Sequence, residues 1–329
     1  MYGGIEMEMD METNMEEPKA TGRWMFFWVG FGALVWVALG CLVFGLAGCT
    51  YVSGAGVQES QAKVSFLDVG QGLAVLLEYE GRYALYDVGP DSVGVFDSLR
   101  ARGVDTLEWV VASHYHRDHV GGLLELGAGP SKVSKPAVKR LYVGLDTAGG
   151  FIRDSLFRQV RRFGIPVDTV FRGHEIVLQD KNGVADGLRL KVLWPPEFLP
   201  LGGNESSVVL ECRLETSGSQ VDDGGTLLLT GDIDTAAERR LLELSPSLRA
   251  SLLQVPHHGS SGSNSLGFLS QVSPRYAAIS VGKDNGYGHP TAEVLRKIEI
   301  VAGDSSTVFR TDLDGTISFQ IVPGMGVVK

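Results

Sequence analysis

Short apolar runs, separated by glycine-rich or polar turns, recur over residues 63–321 of this 329-residue chain. Alternating or wholly apolar runs predict strands near 63–69, 73–78, 82–89, 109–113, 167–171, 188–193, 206–214, 226–230, 252–255, 276–281, 307–310 and 316–321. Helical apolar spacing, clearest over 151–163, predicts helices near 92–102, 151–163, 234–244 and 291–301, and another that begins near 118. Strands with helices interspersed throughout indicate a layered α/β domain.

The N-terminal region has a different pattern. Residues 24–48 form an unbroken run of apolar and small residues, preceded by Lys19 and Arg23 and long enough to span a bilayer. The run ends in Leu46-Ala47-Gly48-Cys49, which is typical of a bacterial lipoprotein signal with Cys49 as the lipidated residue. An uncleaved membrane anchor is the alternative.

These patterns predict four segments: an acidic tail over 1–23, a signal or anchor over 24–49, a linker over 50–62 and a folded domain over 63–329. Basic residues ahead of the run favour a cytoplasmic N-terminus. We therefore expect the domain to be tethered to the membrane on the extracytoplasmic side, with a secreted protein as the alternative. Of three cysteines only Cys212 lies in the domain, so a disulfide framework is excluded there.

Charge is unevenly distributed. Residues 1–60 hold seven acidic and two basic residues, which is half of the formal net charge of -10. The mildly acidic domain argues against bulk nucleic-acid binding but leaves room for a local basic groove. Residues 132–172 could track a phosphate backbone, although a solvated helix face would look the same. Their nine basic residues, against three acidic ones, are Lys132, Lys135, Lys139, Arg140, Arg153, Arg158, Arg161, Arg162 and Arg172.

Four potential metal ligands fall within six residues after the apolar strand that ends at Ala112. They are His114, His116, Asp118 and His119. Two histidines that are two positions apart can point the same way from an extended or turning backbone. Imidazoles with a carboxylate suit zinc, manganese or iron, and this set is enough to start a two-metal site. The segment therefore predicts a metal centre.

The His-x-His-x-Asp-His pattern resembles the signature of the metallo-β-lactamase superfamily of hydrolases. Seven segments, in the same order along the chain, resemble the hydrolase domain of the ComEC-type competence proteins: 66–72, 86–89, 113–122, 203–210, 230–232, 256–260 and 285–290. The resemblance implies a four-layer αββα sandwich. Family members carry this domain fused to a channel for single-stranded DNA. Because no apolar run near 18 residues follows Gly48, we expect a free-standing version.

Three further segments complete the predicted site. Asp232 follows a predicted strand, and the resemblance implies that it bridges two divalent ions, zinc or manganese. His257 and His258 follow another strand, and we expect His257 to be the ligand and His258 to lie behind it or contact substrate. His289 lies before Pro290 and a predicted helix, where protonation of a histidine is disfavoured. A structural capping role for His289 is the alternative.

One position departs from the wider superfamily, because its usual third histidine has no counterpart between His119 and Asp232. Asn204 and Ser207 stand near the expected position, and an asparagine oxygen suits a harder ion such as manganese. We expect both residues, together with Ser260 of a serine-rich loop, to contact substrate. Hydroxyls and backbone N–H groups of such a loop suit a phosphate or another oxyanion.

Together these residues predict a metal-dependent hydrolase in which Asp118 orients a metal-bound hydroxide, and His289 or His258 stabilises charge or protonates the leaving group. A phosphodiesterase or nuclease acting on single-stranded DNA outside the cytoplasm is the favoured activity. Hydrolysis of a lactone, thioester or β-lactam is an alternative, as is a cell-surface binding protein with a vestigial metal site. The sequence indicates no protein partner.

Overall fold

The computed structural model describes residues 61–126, 136–147, 149–181, 186–199, 201–216, 225–245, 247–303 and 307–329. The predicted tail, the signal or anchor with Cys49, and nearly all of the predicted linker lie outside these residues, as do Lys132 and Lys135. No helix in the described part of the chain is long and apolar enough to cross a membrane.

The described residues form short strands and helices that alternate along the chain. In chain order they are β1 (Ala62–Phe66), β2 (Val75–Tyr79), β3 (Arg82–Tyr86), α1 (Val95–Ala101), β4 (Thr106–Leu107), β5 (Trp109–Ala112), α2 (Arg117–Leu124), β6 (Ala137–Val138), β7 (Leu141–Gly144), α3 (Phe151–Arg162), β8 (Val167–Val170), β9 (Glu175–Gln179), β10 (Gly187–Trp194), β11 (Val209–Glu215), β12 (Thr226–Leu229), α4 (Thr235–Leu244), β13 (Leu252–Gln254), α5 (Leu266–Val272), β14 (Tyr276–Ile279), α6 (Ala292–Ala302), β15 (Val308–Arg310), α7 (Thr311–Asp314), β16 (Ile317–Val322) and β17 (Gly326–Val328). Single 3-10 turns lie at Gly203–Ser206 and Pro256–Gly259.

Two large sheets organise the domain. The first has the strand order β17-β16-β1-β2-β3-β5-β7-β8, and the second has the order β15-β14-β13-β12-β11-β10-β9. Strands β3, β5, β7 and β8 run parallel, and so do β12, β13, β14 and β15. Parallel neighbours end at the same sheet edge, so the loops that follow them gather at one side of each sheet.

Side-chain alternation gives each sheet two buried faces. In β5, Trp109 and Val111 join the core between the two sheets, whereas Val110 and Ala112 face the helices outside the first sheet. Helices α1, α2 and α3 cover that outer face, and α4, α5 and α6 cover the outer face of the second sheet. The layers therefore run helix, sheet, sheet, helix, and the predicted αββα sandwich is confirmed.

Most predicted elements are present, but several observed elements were not predicted, among them β7, β9, β17 and α5. Strand β7 is short and follows two basic residues, and it lies inside the first sheet because its neighbours cover both of its edges. Helix α5 lies in the segment expected to be a serine-rich loop. Ser265 caps it by accepting a hydrogen bond from the Phe268 N–H, and Phe268 and Leu269 are buried beneath it.

Candidate metal centre

Loops from both sheets meet at one edge of the domain. Asp87 follows β3, the His114–His119 segment follows β5, Asp232 lies just beyond β12, and His257 and His258 lie just beyond β13. All four strands belong to the parallel parts of their sheets, so these side chains project from carboxyl ends of strands. The distant histidines and acids of the sequence therefore occupy one region.

The loop after β5 turns its histidines in two directions. His114 and His119 are buried, whereas His116 is exposed. Helix α2 begins directly after His116, which places half-buried Asp118 in its first turn. Gly122 lets this helix approach the backbone of the loop after β3, because a Cβ there would lie 2.8 Å from the Val88 carbonyl oxygen. The close packing of α2 against the loop after β3 therefore holds His119 below the surface.

Asp87 was not among the predicted site residues, yet it anchors His119. Its Oδ2 lies 2.7 Å from His119 Nδ1 and accepts a hydrogen bond from Ser113 Oγ at 2.6 Å. Its Oδ1 accepts the Ser113 N–H at 2.7 Å. Burial raises the pKa of Asp87, although the charge of His119 opposes the shift. The signal was present in the sequence as a lone carboxylate after a buried strand.

Gln254 joins the loops that carry Asp232 and His258. Its Oε1 accepts the N–H groups of Thr230 and Gly231 at 2.8 and 2.7 Å, and its Nε2 donates to the Gly231 carbonyl at 3.1 Å. Backbone pairing between β12 and β13 stops at Leu228 and Leu253, and the Gln254 side-chain amide supplies the hydrogen bonds beyond that point. Asp232, the next residue, is only 2% exposed.

The structure reverses the relation expected for the paired histidines. His258 is buried, and its Nε2 lies 3.5 Å from Oδ2 of both Asp118 and Asp232. His257 is half-buried, and its Nε2 lies 3.9 Å from Asp232 Oδ2. Both residues have left-handed backbone, with φ of 50° and 54°, which turns successive side chains to different sides. The geometry therefore favours His258, rather than His257, as the ligand.

Three buried imidazoles point the same nitrogen into one space. Nε2 of His114, His119 and His258 has no hydrogen-bond partner among the described residues, and neither has Asp232 Oδ1. The other nitrogen of each ring is held: His114 Nδ1 lies 3.0 Å from Ser113 Oγ, and His258 Nδ1 donates to the Ser280 carbonyl at 2.7 Å. Such anchoring is typical of metal-ligating histidines.

The donor atoms form two overlapping triads that share His119. One triad is His114, His119 and Asp232, and the other is Asp118, His119 and His258, with all donor atoms of each within 4.8 Å of one another. Each unpartnered buried polar atom would cost about 1–3 kcal/mol without a partner. The donor set and its orphaned atoms therefore fit divalent cations.

Charges in the cluster are strongly coupled. Burial opposes ionisation of Asp232 and Asp118, but the neighbouring histidines outweigh it, lowering the pKa of Asp232 well below its usual value and that of Asp118 to about 2. Burial likewise opposes protonation of His258, but the two carboxylates raise its pKa to about 9. The two carboxylates thus attract positive charge to this space, whereas protonated His119 opposes it. A cation that binds there displaces protons.

An open cleft leads to the buried histidines and acids, and three residues predicted to contact substrate can be compared with its lining. Asn204 lines it and lies 3.3 Å from His257 Nε2, whereas Ser207 is fully buried and accepts the Asp232 N–H at 3.1 Å. Ser260 does not line the cleft; its hydroxyl accepts the Gly262 N–H within its own loop. The geometry therefore gives Ser207 a positioning role and favours substrate contact only for Asn204. The lining residues are Gln71, Tyr115, His116, Arg117, Asp118, Ile152, Asn204, Asp232, His257, His258, Tyr287 and His289.

His289 lines the cleft, but it does not lie at a helix N-terminus. Helix α6 begins at Ala292 and Thr291 caps it, so the helix dipole is not the reason for its protonation state. Burial lowers the pKa of His289, and the nearby rings of His257 and His258 lower it further. The Nδ1 of His289 is buried and has no hydrogen-bond partner among the described residues.

Much of the described basic stretch is already paired. Lys139 donates to both carboxylate oxygens of Glu108, Arg140 pairs with Asp168, and Arg172 donates to the Leu244 carbonyl. None of the seven basic residues of this stretch that the structure describes lines the cleft. Arg117, outside the stretch, does line it and forms a two-pronged ion pair with Asp91.

Comparison with known proteins identifies the family of this chain. The model of the metallo-β-lactamase superfamily matches residues 67–283. The chain is 31% identical over 277 residues to competence protein ComA of Neisseria gonorrhoeae (83% of this chain, 34% of that protein). It is 29% identical over 282 residues to ComE operon protein 3 of Bacillus subtilis strain 168 (79% and 33%). The chain therefore spans about a third of the length of these relatives.

A solved structure similar to this chain is the metallo-β-lactamase fold protein YhfI of Bacillus subtilis. It is 14% identical, has a TM-score of 0.46, and the match covers 80% of this chain and 100% of that one. The suspected similarity to ComEC-type competence proteins is confirmed by the two relatives. The chain belongs to the metallo-β-lactamase superfamily and is a metal-dependent hydrolase.

Proposed function

We propose that this hydrolase is a phosphodiesterase that cleaves single-stranded DNA. One observation carries the proposal: anchored histidines and ionised carboxylates converge at the floor of a cleft whose mouth presents the guanidinium of Arg117. The cleft measures about 390 Å³, which is within the range of small-ligand sites and admits a nucleotide-sized group. The similarity to two competence proteins supports DNA as the source of that group.

Five residues would hold the ions: His114, His119, His258, Asp118 and Asp232. When bound, two divalent cations, zinc or manganese, supply an activated water and stabilise charge on the group under attack. His116 lies beside His114, with ring centroids 4.5 Å apart, so rotation of its side chain can bring it to the same ion. Anchored ligands keep this geometry without reorganising during the reaction.

Asp118 faces the cleft and is suited to orient the attacking water. Its pKa of about 2 keeps it ionised at neutral pH, so its carboxylate can accept a hydrogen bond from that water. His289 lies on the other side of His257, with ring centroids 6.0 Å apart. Its half-buried ring can donate a hydrogen bond to the oxygen of the leaving group as that oxygen gains charge.

Arg117 is suited to position a phosphate. Its side chain is 65% exposed, and Asp91 holds its guanidinium through Nε at 2.9 Å. This pairing fixes the direction of the guanidinium while leaving donors for a ligand, since a guanidinium has five N–H groups. The Asp91 carboxylate also neutralises the charge of Arg117, so we expect Arg117 to orient the phosphate more than to strengthen its binding.

The activity is tested with the purified full chain, manganese or zinc, and an end-labelled single-stranded DNA. We expect metal-dependent cleavage that is abolished by chelation and by Asp232→Asn. A parallel panel of lactone, thioester and β-lactam substrates covers the alternative chemistry of the same centre. Hydrolysis of any of these esters or amides without cleavage of DNA would contradict the proposal.

We further propose that residues 24–49 tether the domain to the outer face of the cytoplasmic membrane through a lipid on Cys49. The support is the apolar run behind Lys19 and Arg23 and the Leu46-Ala47-Gly48-Cys49 sequence at its end. Cys49→Ala should abolish incorporation of labelled fatty acid and release the protein from the lipidated membrane fraction. Unchanged membrane association with no incorporated lipid in the unmodified chain would instead identify an uncleaved anchor.

A further inference from the structure

Tyr287 is a large aromatic side chain that is exposed at the cleft. Its side chain is 72% exposed, and it contributes to the lining of the cleft. Aromatic rings are normally buried where packing alone decides their position, so an exposed ring in a binding cleft calls for an explanation other than the core. None of the steps assigned above uses Tyr287.

The backbone around Tyr287 is held in place before any ligand arrives. The Asn285 carboxamide oxygen accepts the N–H groups of Tyr287 and His289 at 3.2 and 3.0 Å. Its nitrogen donates to the carbonyls of Gly282 and His289 at 3.0 and 2.7 Å. One side chain thus clasps the loop on both sides of Tyr287. A ring presented by a fixed loop loses little entropy when it binds a partner.

The ring of Tyr287 is also connected through ring contacts to the histidines beside the metal-binding residues. It stacks on His289 with ring centroids 5.9 Å apart and an interplanar angle of 19°, and it makes no other ring contact among the described residues. His289 in turn contacts the His257 ring at 6.0 Å. Tyr287 is thus connected through His289 to His257, whose Nε2 lies 3.9 Å from Asp232 Oδ2. The path from Tyr287 to the metal-binding residues is on the scale of one nucleotide.

Other lining groups suit a flat partner with a charged neighbour. Ile152 and the half-buried ring of Tyr115 add apolar surface to the same cleft, and Arg117 adds a guanidinium. A planar π-system attached to a phosphodiester matches this combination better than a wholly polar small molecule. Single strands provide such groups, because their bases are unpaired and free to stack on aromatic side chains.

We propose that Tyr287 is a stacking platform for an unpaired nucleobase of the strand whose phosphodiester lies over the ion cluster. The proposal rests on the proposed function for the identity of the strand, and it deepens that function by assigning a base-binding position. Stacking is tolerant of sequence, since every base has a π-face, so the site favours single strands without selecting one base.

The test compares binding of two labelled strands of equal length and charge. One carries thymine bases, and the other is an abasic deoxyribose-phosphate strand. Fluorescence anisotropy is measured with the full chain in EDTA, so that neither strand is cut. The variants are Tyr287→Ala, Tyr287→Phe and Tyr287→Trp, with Phe163→Ala as a matched control, because Phe163 is 44% exposed and does not line the cleft.

We expect the unmodified chain to prefer the thymine strand. Tyr287→Ala should weaken binding of that strand by about 5- to 150-fold, and leave binding of the abasic strand unchanged. Tyr287→Phe and Tyr287→Trp should retain the preference, and Phe163→Ala should match the unmodified chain. A paired duplex should compete poorly with the labelled thymine strand, since its bases are not available.

Equal binding of the two strands by the unmodified chain would overturn the proposal. Equal weakening of both strands by Tyr287→Ala would also overturn it, because the ring would then support the loop rather than contact a base. A separate cleavage assay with metal distinguishes the two levels. Cleavage without base preference overturns the platform alone, whereas base preference without cleavage overturns the phosphodiesterase alone. Where cleavage occurs, Tyr287→Ala should raise KM for the thymine strand and leave kcat unchanged.

Discussion

The two walls of the cleft use the same residue type in different ways. We call the buried residues His114, His119, His258 and Asp232 the inner wall; His258 and Asp232 line the cleft, and His114 and His119 lie behind them. The outer wall consists of His116, His257 and His289, which are exposed or half-buried. Each inner histidine has Nδ1 held by a protein group, whereas its Nε2 has no hydrogen-bond partner in the described part of the chain and points towards the acids.

The difference lies in the support behind each ring. Inner histidines are backed by Asp87, Ser113 and the Ser280 carbonyl, which fix ring direction and tautomer. The outer histidines lack such anchors: His257 contacts the His289 ring and the Asn204 amide, and His116 contacts the His114 ring. Rigid donors suit an ion that requires fixed geometry, whereas adaptable donors suit a substrate that arrives and leaves. We therefore assign ion binding to the inner wall together with Asp118, and substrate contact to His257 and His289 of the outer wall.

The strongest test of this division is His119→Ala, since His119 belongs to both triads. We expect a loss of roughly 10³-fold in kcat/KM and a loss of bound metal, because the ion that Nε2 of His119 binds loses an anchored ligand. Hydrolysis rates and metal content measured on folded protein check this. His174→Ala is the control, as His174 lies between β8 and β9 and does not line the cleft. Unchanged metal content in His119→Ala would refute its assignment as a ligand.

A comparison of His258→Ala with His257→Ala tests the boundary between the walls. We expect His258→Ala to weaken zinc or manganese binding by about 100-fold or more, because a buried and anchored donor is removed. His257→Ala should change metal affinity by less than about tenfold and act mainly on KM. Calorimetric titration of each variant provides the affinities. The reverse order of effects would return the ligand role to His257.

Asp87→Asn tests whether support behind the ring matters. Asparagine keeps the shape but has one acceptor oxygen for the three donors that Asp87 now serves, so His119 loses its orientation. We expect metal affinity to fall about 10- to 100-fold while the protein remains folded. Asp168→Asn is a matched control, since Asp168 pairs with Arg140 away from the cleft. An unchanged affinity in Asp87→Asn would show that burial alone positions His119.

The smallest expected effect concerns Glu238, which supports the loop that follows His258. Its carboxylate accepts the N–H groups of Asn264 and Ser265, and Asn264 Nδ2 donates to the Pro256 carbonyl at 3.0 Å. Burial raises the pKa of Glu238 above 4.5, despite these hydrogen bonds. The folded state thus holds the proton more tightly than the unfolded state.

Protonated Glu238 therefore stabilises the folded state fully below pH 4.5, and this contribution is lost as the pH rises through the folded-state pKa. Relative to Glu238→Gln, the free energy of unfolding of the unmodified protein should fall with pH by at most about 1.4 kcal/mol per unit. Urea unfolding of both proteins between pH 4 and 7 measures the difference. A difference that grows with pH would show that the N–H donors outweigh burial.

Sequence patterns were most informative where one face or one capping residue decided the structure. Apolar spacing predicted the end of α3 to within one residue. The start of α4 was predicted at Asp234, which caps the helix by accepting the N–H groups of Ala236 and Ala237. Patterns failed for β7 and α5. The core position of β7 depends on its neighbours in the sheet, and α5 is a single short helix whose burial comes from the second sheet.

By itself the sequence determined the α/β fold class, the metal-binding loop after β5 and the separate segments that carry Asp232 and the His257-His258 pair. Local residue order is enough for these, because apolar runs and clustered ligands are properties of neighbouring residues. Only the tertiary structure decided that His258 rather than His257 faces the acids, that Ser207 is a support, and that Asp87 and Gln254 belong to the site. Side-chain direction at a left-handed turn and burial between two sheets depend on contacts between residues far apart in the chain, which no local pattern records.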